Sequence, residues 1–156
     1  MDCKLPLIES ILPSNNEHIE RAIQAILARG KKKVGMLGLS FKSGTDDLRE
    51  SPQVLLIKRL IGEGYQARIW DENVFMGRLI GSNRQFIEDN IPHIGTLLNN
   101  DFAQVVSESE VIVVSSKIDN EKLEALLQPH HIVIDLISLH KQNRVRHKGE
   151  YEGICW

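Results

Sequence analysis

Four consecutive β-branched residues, Val111, Ile112, Val113 and Val114, constrain this chain more than any other feature. Branching at Cβ favours extended backbone, and a run with no polar member leaves no side for solvent. The run therefore reads as a strand buried on both faces, the kind found in parallel sheets covered by helices. Similar apolar runs stand at "KVGMLGL" (33–39) and "HIVIDLI" (131–137). "YQARIWD" (65–71) alternates apolar and polar positions and ends on Asp71, and the tail "YEGICW" (151–156) adds a short final strand. Helical patterns lie between them: "QVLLIKRLIGEG" (53–64), "VFMGRLIG" (74–81), "NRQFIEDNI" (83–91), "DFAQVVSES" (101–109) and "NEKLEALLQ" (120–128). Strand and helix alternating in this way predict an α/β fold, a doubly wound, mainly parallel sheet of Rossmann-like type.

Before the first strand, "LPLIESILPSNNEHIERAIQAILARG" (5–30) reads as an N-terminal helical lead. Pro13 is expected to break it, with a second helix starting at the cap residues 14–16 and stopping at Gly30. The expected division is a helical connector over 1–30 and an α/β domain over 31–156. At 156 residues the chain is long enough to bury a real core.

A net charge of −2 excludes a general electrostatic pull toward nucleic acid or an anionic membrane, and neither is expected as a partner. Cys3 and Cys155, the two cysteines, suit neither a disulfide framework nor a zinc site and fit a reducing cytosol. The histidines, including the pair His130 and His131, have no ligand spacing and are expected on the surface, with no metal. Trp70 and Trp156 are expected to pack rather than to stack on a ligand.

Charge collects at one place. "GLSFKSGTDDLRESP" (38–52) joins the first strand to the next helix, whose start is marked by Ser51 as N-cap and Pro52 at the first helical position. In a doubly wound sheet the loop beyond the first strand faces the ligand crevice. The G-x-G-x-x-G dinucleotide fingerprint is missing, so Asp71 at the end of the second strand is a weak ribose candidate. The loop instead offers two side-chain cations, Lys42 and Arg49. Two readings stand for them: contact with an anionic ligand, or pairing with the loop's own carboxylates. Asp46, Asp47 and Glu50 are expected to serve the helix N-terminus, where carboxylates are favoured and free amides need acceptors.

The stretch "GLSFKSGTDDLRESP", together with "ARIWDENV", resembles the C-terminal domain of the UDP-glucose/GDP-mannose dehydrogenase family, in which G-L-x-F-K-x-x-T-D-D-x-R-E-S-P stands at this place. The likeness runs from the lead helix to Trp156, and "NIPHIGTLL" and "EGICW" are most similar to the branch acting on GDP-mannose. The resemblance implies an NAD-dependent oxidoreductase that converts a nucleotide-sugar C6 hydroxyl to a carboxylate in two steps. It implies an N-terminal NAD-binding domain and a central dimerisation domain as partners of this one, with lead residues 1–30 a remnant of the central domain. By the same resemblance Phe41 and Lys42 contact the nucleotide sugar, and Arg49 reaches NAD bound by another domain.

The chain departs from the family in two ways. Neither Cys3 nor Cys155 stands in the family's G-G-S-C-x-P-K-D setting, so the catalytic cysteine is absent and no catalytic residue is assigned. The NAD-binding domain is absent as well. The expectation is a cytoplasmic nucleotide-sugar-binding part of such an enzyme, inactive alone and at most weakly self-associating. The lead helix is expected to pack poorly, its apolar face having lost the central domain. A UDP-sugar enzyme domain and a free-standing interaction module are the alternatives.

Overall fold

The computed structural model describes residues 5–40, 42, 44–75, 77, 79–139 and 149–154. Its core is a sheet of five parallel strands, β1 (Lys33–Leu37), β2 (Gln66–Trp70), β3 (Val111–Val114), β4 (Ile132–Asp135) and β5 (Glu150–Gly153), in the order β2-β1-β3-β4-β5. The predicted strands, including the final short one, are all present. Around the sheet lie α1 (Pro6–Glu9), α2 (Ile11–Leu27), α3 (Pro52–Gly62), α4 (Gly81–Asn90), α5 (Ile94–Leu97), α6 (Phe102–Ser107) and α7 (Asn120–Leu126).

β3 shows why the apolar run is continuous. Val111 and Val113 join the core on the sheet face carrying α2 and α3, whereas Ile112 and Val114 join the core on the face carrying α6 and α7. Successive side chains of a strand point to opposite faces, so a strand covered on both sides needs an apolar residue at every position. Burying each such side chain is worth about 1.5–3 kcal/mol. β2, at the sheet edge, alternates buried Ala67 and Ile69 with more exposed neighbours, as expected.

The lead segment differs from expectation in two respects. The helix breaks at Ser10, not at Pro13, which sits in the first turn of α2. Amides there have no partner within the helix, so the missing N–H of proline costs nothing. Nor does the lead pack poorly throughout: Ala22, Ile23 and Ile26 are buried in the α3 side of the core. Only its first half is bare, with Leu7 82% and Leu12 72% exposed. At the end of α2, the Arg29 guanidinium pairs with both Glu150 and Glu152 of β5.

Two further expectations are corrected. The described part of 74–80 forms no helix; it carries one helical-type bond, from Leu79 N–H to the Phe75 carbonyl, and α4 starts at Gly81. His131 is not on the surface. It is 1% exposed, its Nδ1 accepts from the Gln128 N–H at 3.0 Å, and its Nε2 is buried without a hydrogen-bond partner among the described residues. Its position just before β4 forces the ring inward.

Candidate functional site: the crevice at the carboxyl ends of the strands

The strand order turns around between β1 and β3: the chain leaves β1 toward α3 on one face and leaves β3 toward α7 on the other. Loops that diverge in this way open a crevice outside the strand ends, where ligands of doubly wound sheets bind. The charged loop, 38–51, forms one wall.

Its conformation is held from several sides. At its start, Asp71 at the end of β2 accepts from the Leu39 N–H (2.7 Å) and Ser40 N–H (3.1 Å) through one oxygen. The other oxygen accepts from the Asn73 N–H at 2.8 Å. The weak reading of Asp71 as a ribose ligand is thus corrected: its carboxylate is buried and committed to backbone. Midway, Asn83 of α4 accepts from the Leu48 N–H (2.8 Å) and donates to the Asp46 carbonyl, while the Leu48 side chain is fully buried. At the end, Ser51 occupies the N-cap position of α3, yet its hydroxyl caps nothing. It donates to the Leu39 carbonyl at 2.7 Å, stitching the end of the loop to its beginning.

Asp47 does not serve the helix N-terminus as expected. Asp47 accepts from the Arg49 backbone N–H and forms a two-pronged pair with its guanidinium, Nε–Oδ1 2.9 Å and Nη2–Oδ2 2.8 Å. Hydrogen bonding from Arg49 lowers the Asp47 pKa to about 2, and the carboxylate in turn raises that of Arg49. Glu50 follows with φ +54, a left-handed conformation that turns the chain into α3. The left-handed region costs a non-glycine residue of order 1 kcal/mol, so the turn is imposed by the anchors on either side.

Lys42 is placed differently. Its carbonyl accepts from both the Thr45 N–H (3.2 Å) and hydroxyl (2.7 Å), closing a tight turn at the loop tip. Its side chain is exposed, and no described residue engages the ammonium. Of the two readings left open by the sequence, internal pairing holds for Arg49 and fails for Lys42. Phe41 lies outside the described residues, as do Cys3, Cys155 and Trp156. Trp70 packs as expected, edge-to-face on Phe102 with centroids 4.9 Å apart.

The tightest glycine contact of this region is between two loops of the protein. Gly38, with φ +106, lies against the loop after β3, where an added Cβ would come within 2.4 Å of Ser116 Oγ and 2.8 Å of its backbone nitrogen. That close approach packs the loop after β1 against the loop after β3.

A model of the UDP-glucose/GDP-mannose dehydrogenase family, UDP binding domain, matches residues 35–142, well over half of the chain. The chain belongs to this family. A GDP-mannose 6-dehydrogenase of Pseudomonas putida is 43% identical over the whole chain, which covers 36% of that protein. A UDP-glucose 6-dehydrogenase of Rickettsia bellii is 27% identical over 92% of the chain and 33% of its own length. Among solved structures, a ternary complex of GDP-mannose dehydrogenase from Pseudomonas aeruginosa superposes with a TM-score of 0.78 at 39% identity, covering 98% of this chain and 35% of that one. The chain thus spans about a third of the length of the dehydrogenases it matches. The family's "UDP binding domain" takes in β1, the charged loop, β2, β3 and β4.

What sequence reasoning missed at this site are the anchors Asp71 and Asn83. Asp71 had a signal, an acid at a strand's carboxyl end, but its partners lie 31 and 32 residues away in sequence. Asn83 carried none.

Proposed function

We propose that this chain is the nucleotide-sugar-binding domain of an NAD-dependent nucleotide-sugar 6-dehydrogenase of the GDP-mannose type. One observation carries the reading: in a chain 43% identical to a GDP-mannose 6-dehydrogenase, the anchored loop at the end of β1 presents Lys42 with its ammonium uncommitted. An ammonium suits a point contact on a diphosphate. Lys42 and Phe41 meet the nucleotide sugar in this reading. Arg49, paired with Asp47, faces NAD carried on another domain in this reading, since the sequence has no G-x-G-x-x-G fingerprint.

In the same reading, residues 1–30 connect to a central dimerisation domain beyond which an NAD-binding domain lies, and 31–156 form the nucleotide-sugar domain. The bare first half of the lead gives self-association that is weak at most. The site of action is the cytoplasm; no helix among the described residues is long and apolar enough to cross a membrane. A UDP-sugar is the second reading, favoured by the family model's description as a UDP binding domain.

Calorimetric titration of the chain with GDP-mannose and UDP-glucose tests both. Tighter binding of GDP-mannose, weakened about ten- to a hundredfold by Lys42→Ala, is expected. Preference for UDP-glucose would transfer the assignment to the second reading, and binding of neither would overturn the domain's proposed role.

A further inference from the structure

We infer that the opposite wall of the crevice, the loop after β3, supplies a second anion contact for the nucleotide diphosphate through Lys117, with Lys122 beside it. The inference rests on the nucleotide-sugar reading of the site and deepens it. Lys117 follows Ser115 and Ser116, which are bound to the end of β1: Ser115 donates through its hydroxyl to the Gly38 carbonyl at 2.7 Å, and both backbone N–H groups donate to the Leu37 carbonyl. The two loops therefore leave the strand ends side by side, one carrying Lys42 and the other Lys117. Lys117 lines a narrow pocket together with Ser40 and Gly44, which flank Lys42 in sequence. It also lines the adjoining cleft of about 370 Å³, whose apolar wall is Trp70, Phe102 and Ile118.

Lys122 stands on the rim of that cleft with its ammonium 4.8 Å from the Phe102 ring centroid. Neither lysine has a carboxylate within ion-pair distance among the described residues. The cleft's two acids, Asp119 and Glu72, form no ion pair with either lysine among the described residues; Asp119 caps α7 by accepting from the Lys122 backbone N–H. Elsewhere on the described surface, the arginines Arg21, Arg59, Arg68 and Arg84 are each matched to a glutamate. Unmatched cations on both walls of a switch-point crevice, beside an aromatic face, fit a diphosphate joined to a flat or ring-shaped group.

The test is amide shift mapping of the ¹⁵N-labelled chain with GDP, GDP-mannose and NAD in separate titrations, repeated for Lys42→Ala, Lys117→Ala and Lys122→Ala. All three side chains are exposed, so folding is preserved. The expected result is that GDP and GDP-mannose shift the amides of both 38–49 and 115–122, and that Lys117→Ala and Lys122→Ala each weaken GDP about three- to tenfold. Shifts confined to 38–49, with both variants binding as tightly as the parent, would overturn the inference and leave the Lys42 reading standing. Shifts confined to 115–122 would uphold the inference and remove Lys42. No shift with millimolar GDP would end both. NAD producing the same shifts with the same dependence on Lys117 would overturn the assignment to a nucleotide sugar.

Discussion

Asp71 and Leu39 are joined by a hydrogen bond of 2.7 Å from the Leu39 backbone N–H to the carboxylate, although they lie just beyond different strands, β2 and β1. The bond sets the departure angle of the loop that carries Lys42 before any ligand is considered. Asp71→Ala leaves the buried Leu39 and Ser40 amides without acceptors, and such groups cost about 1–3 kcal/mol each. A loss of roughly 2–4 kcal/mol in urea unfolding is expected, together with weaker GDP binding. Asp71→Asn retains one acceptor oxygen and should lose less on both counts.

The Asp47–Arg49 pair predicts a titration. By carbon-detected NMR the Asp47 carboxylate should titrate near 2, and in Arg49→Ala it should return to the ordinary range of about 3.9. Because the folded pKa lies below the unfolded one, the pair's stabilising effect is present above about pH 4 and fades as pH falls toward 2. The pair is exposed, so that effect is small. Arg49→Ala should leave GDP binding by this chain unchanged. A marked loss would assign Arg49 to the sugar nucleotide rather than to a cofactor carried elsewhere.

His131 predicts a second pH dependence at higher pH. Burial, with a smaller contribution from His130, lowers its pKa, and Nδ1 is already committed as an acceptor. Above about 6.5 the ring is neutral both folded and unfolded, and it contributes no pH dependence. Below that, the unfolded chain takes up a proton that the folded chain refuses, so stability declines as pH falls, by at most about 1.4 kcal/mol per pH unit. Urea midpoints measured between pH 7 and 5 should show this decline. In His131→Asn, whose side-chain oxygen can replace Nδ1, the slope should flatten.

Catalysis gives the plainest expectation. With NAD and GDP-mannose this chain should form no NADH, since neither cysteine has the family's nucleophile setting and the sequence carries no G-x-G-x-x-G fingerprint. Turnover above blank that disappears in Cys3→Ala or Cys155→Ala would contradict this.

The fold was legible where burial writes itself into periodicity. Unbroken apolar runs at β3 and β4 marked buried strands, and the two-residue alternation marked β2 as a strand, its edge position coming only from the fold. The exposed Lys42 was legible too, from its place after the first strand. Features that depend on a distant partner were not. Ser51 looks like a cap in any local window, but the Leu39 carbonyl, brought near by the fold, takes its hydroxyl. His131 looks like a surface residue until the start of β4 turns it inward. Pro13 looks like a breaker, and its effect was decided by which turn of α2 it fell in.

Arg29 has a mechanical consequence. β5 is an edge strand, and an edge strand held only by one neighbour can peel from its sheet. Here the cation at the end of α2 grips both Glu150 and Glu152, while Tyr151 between them donates its hydroxyl to buried Asp135 at the end of β4. The strand is thus fastened on two sides at once, by the helix through its glutamates and by the sheet through its tyrosine. α2 is itself rooted in the core by Ala22, Ile23 and Ile26. Local opening of β5 therefore also breaks the ion pairs at the end of the lead helix. Arg29 ties that end of the helix to the far edge of the sheet, although more than a hundred residues of sequence separate them.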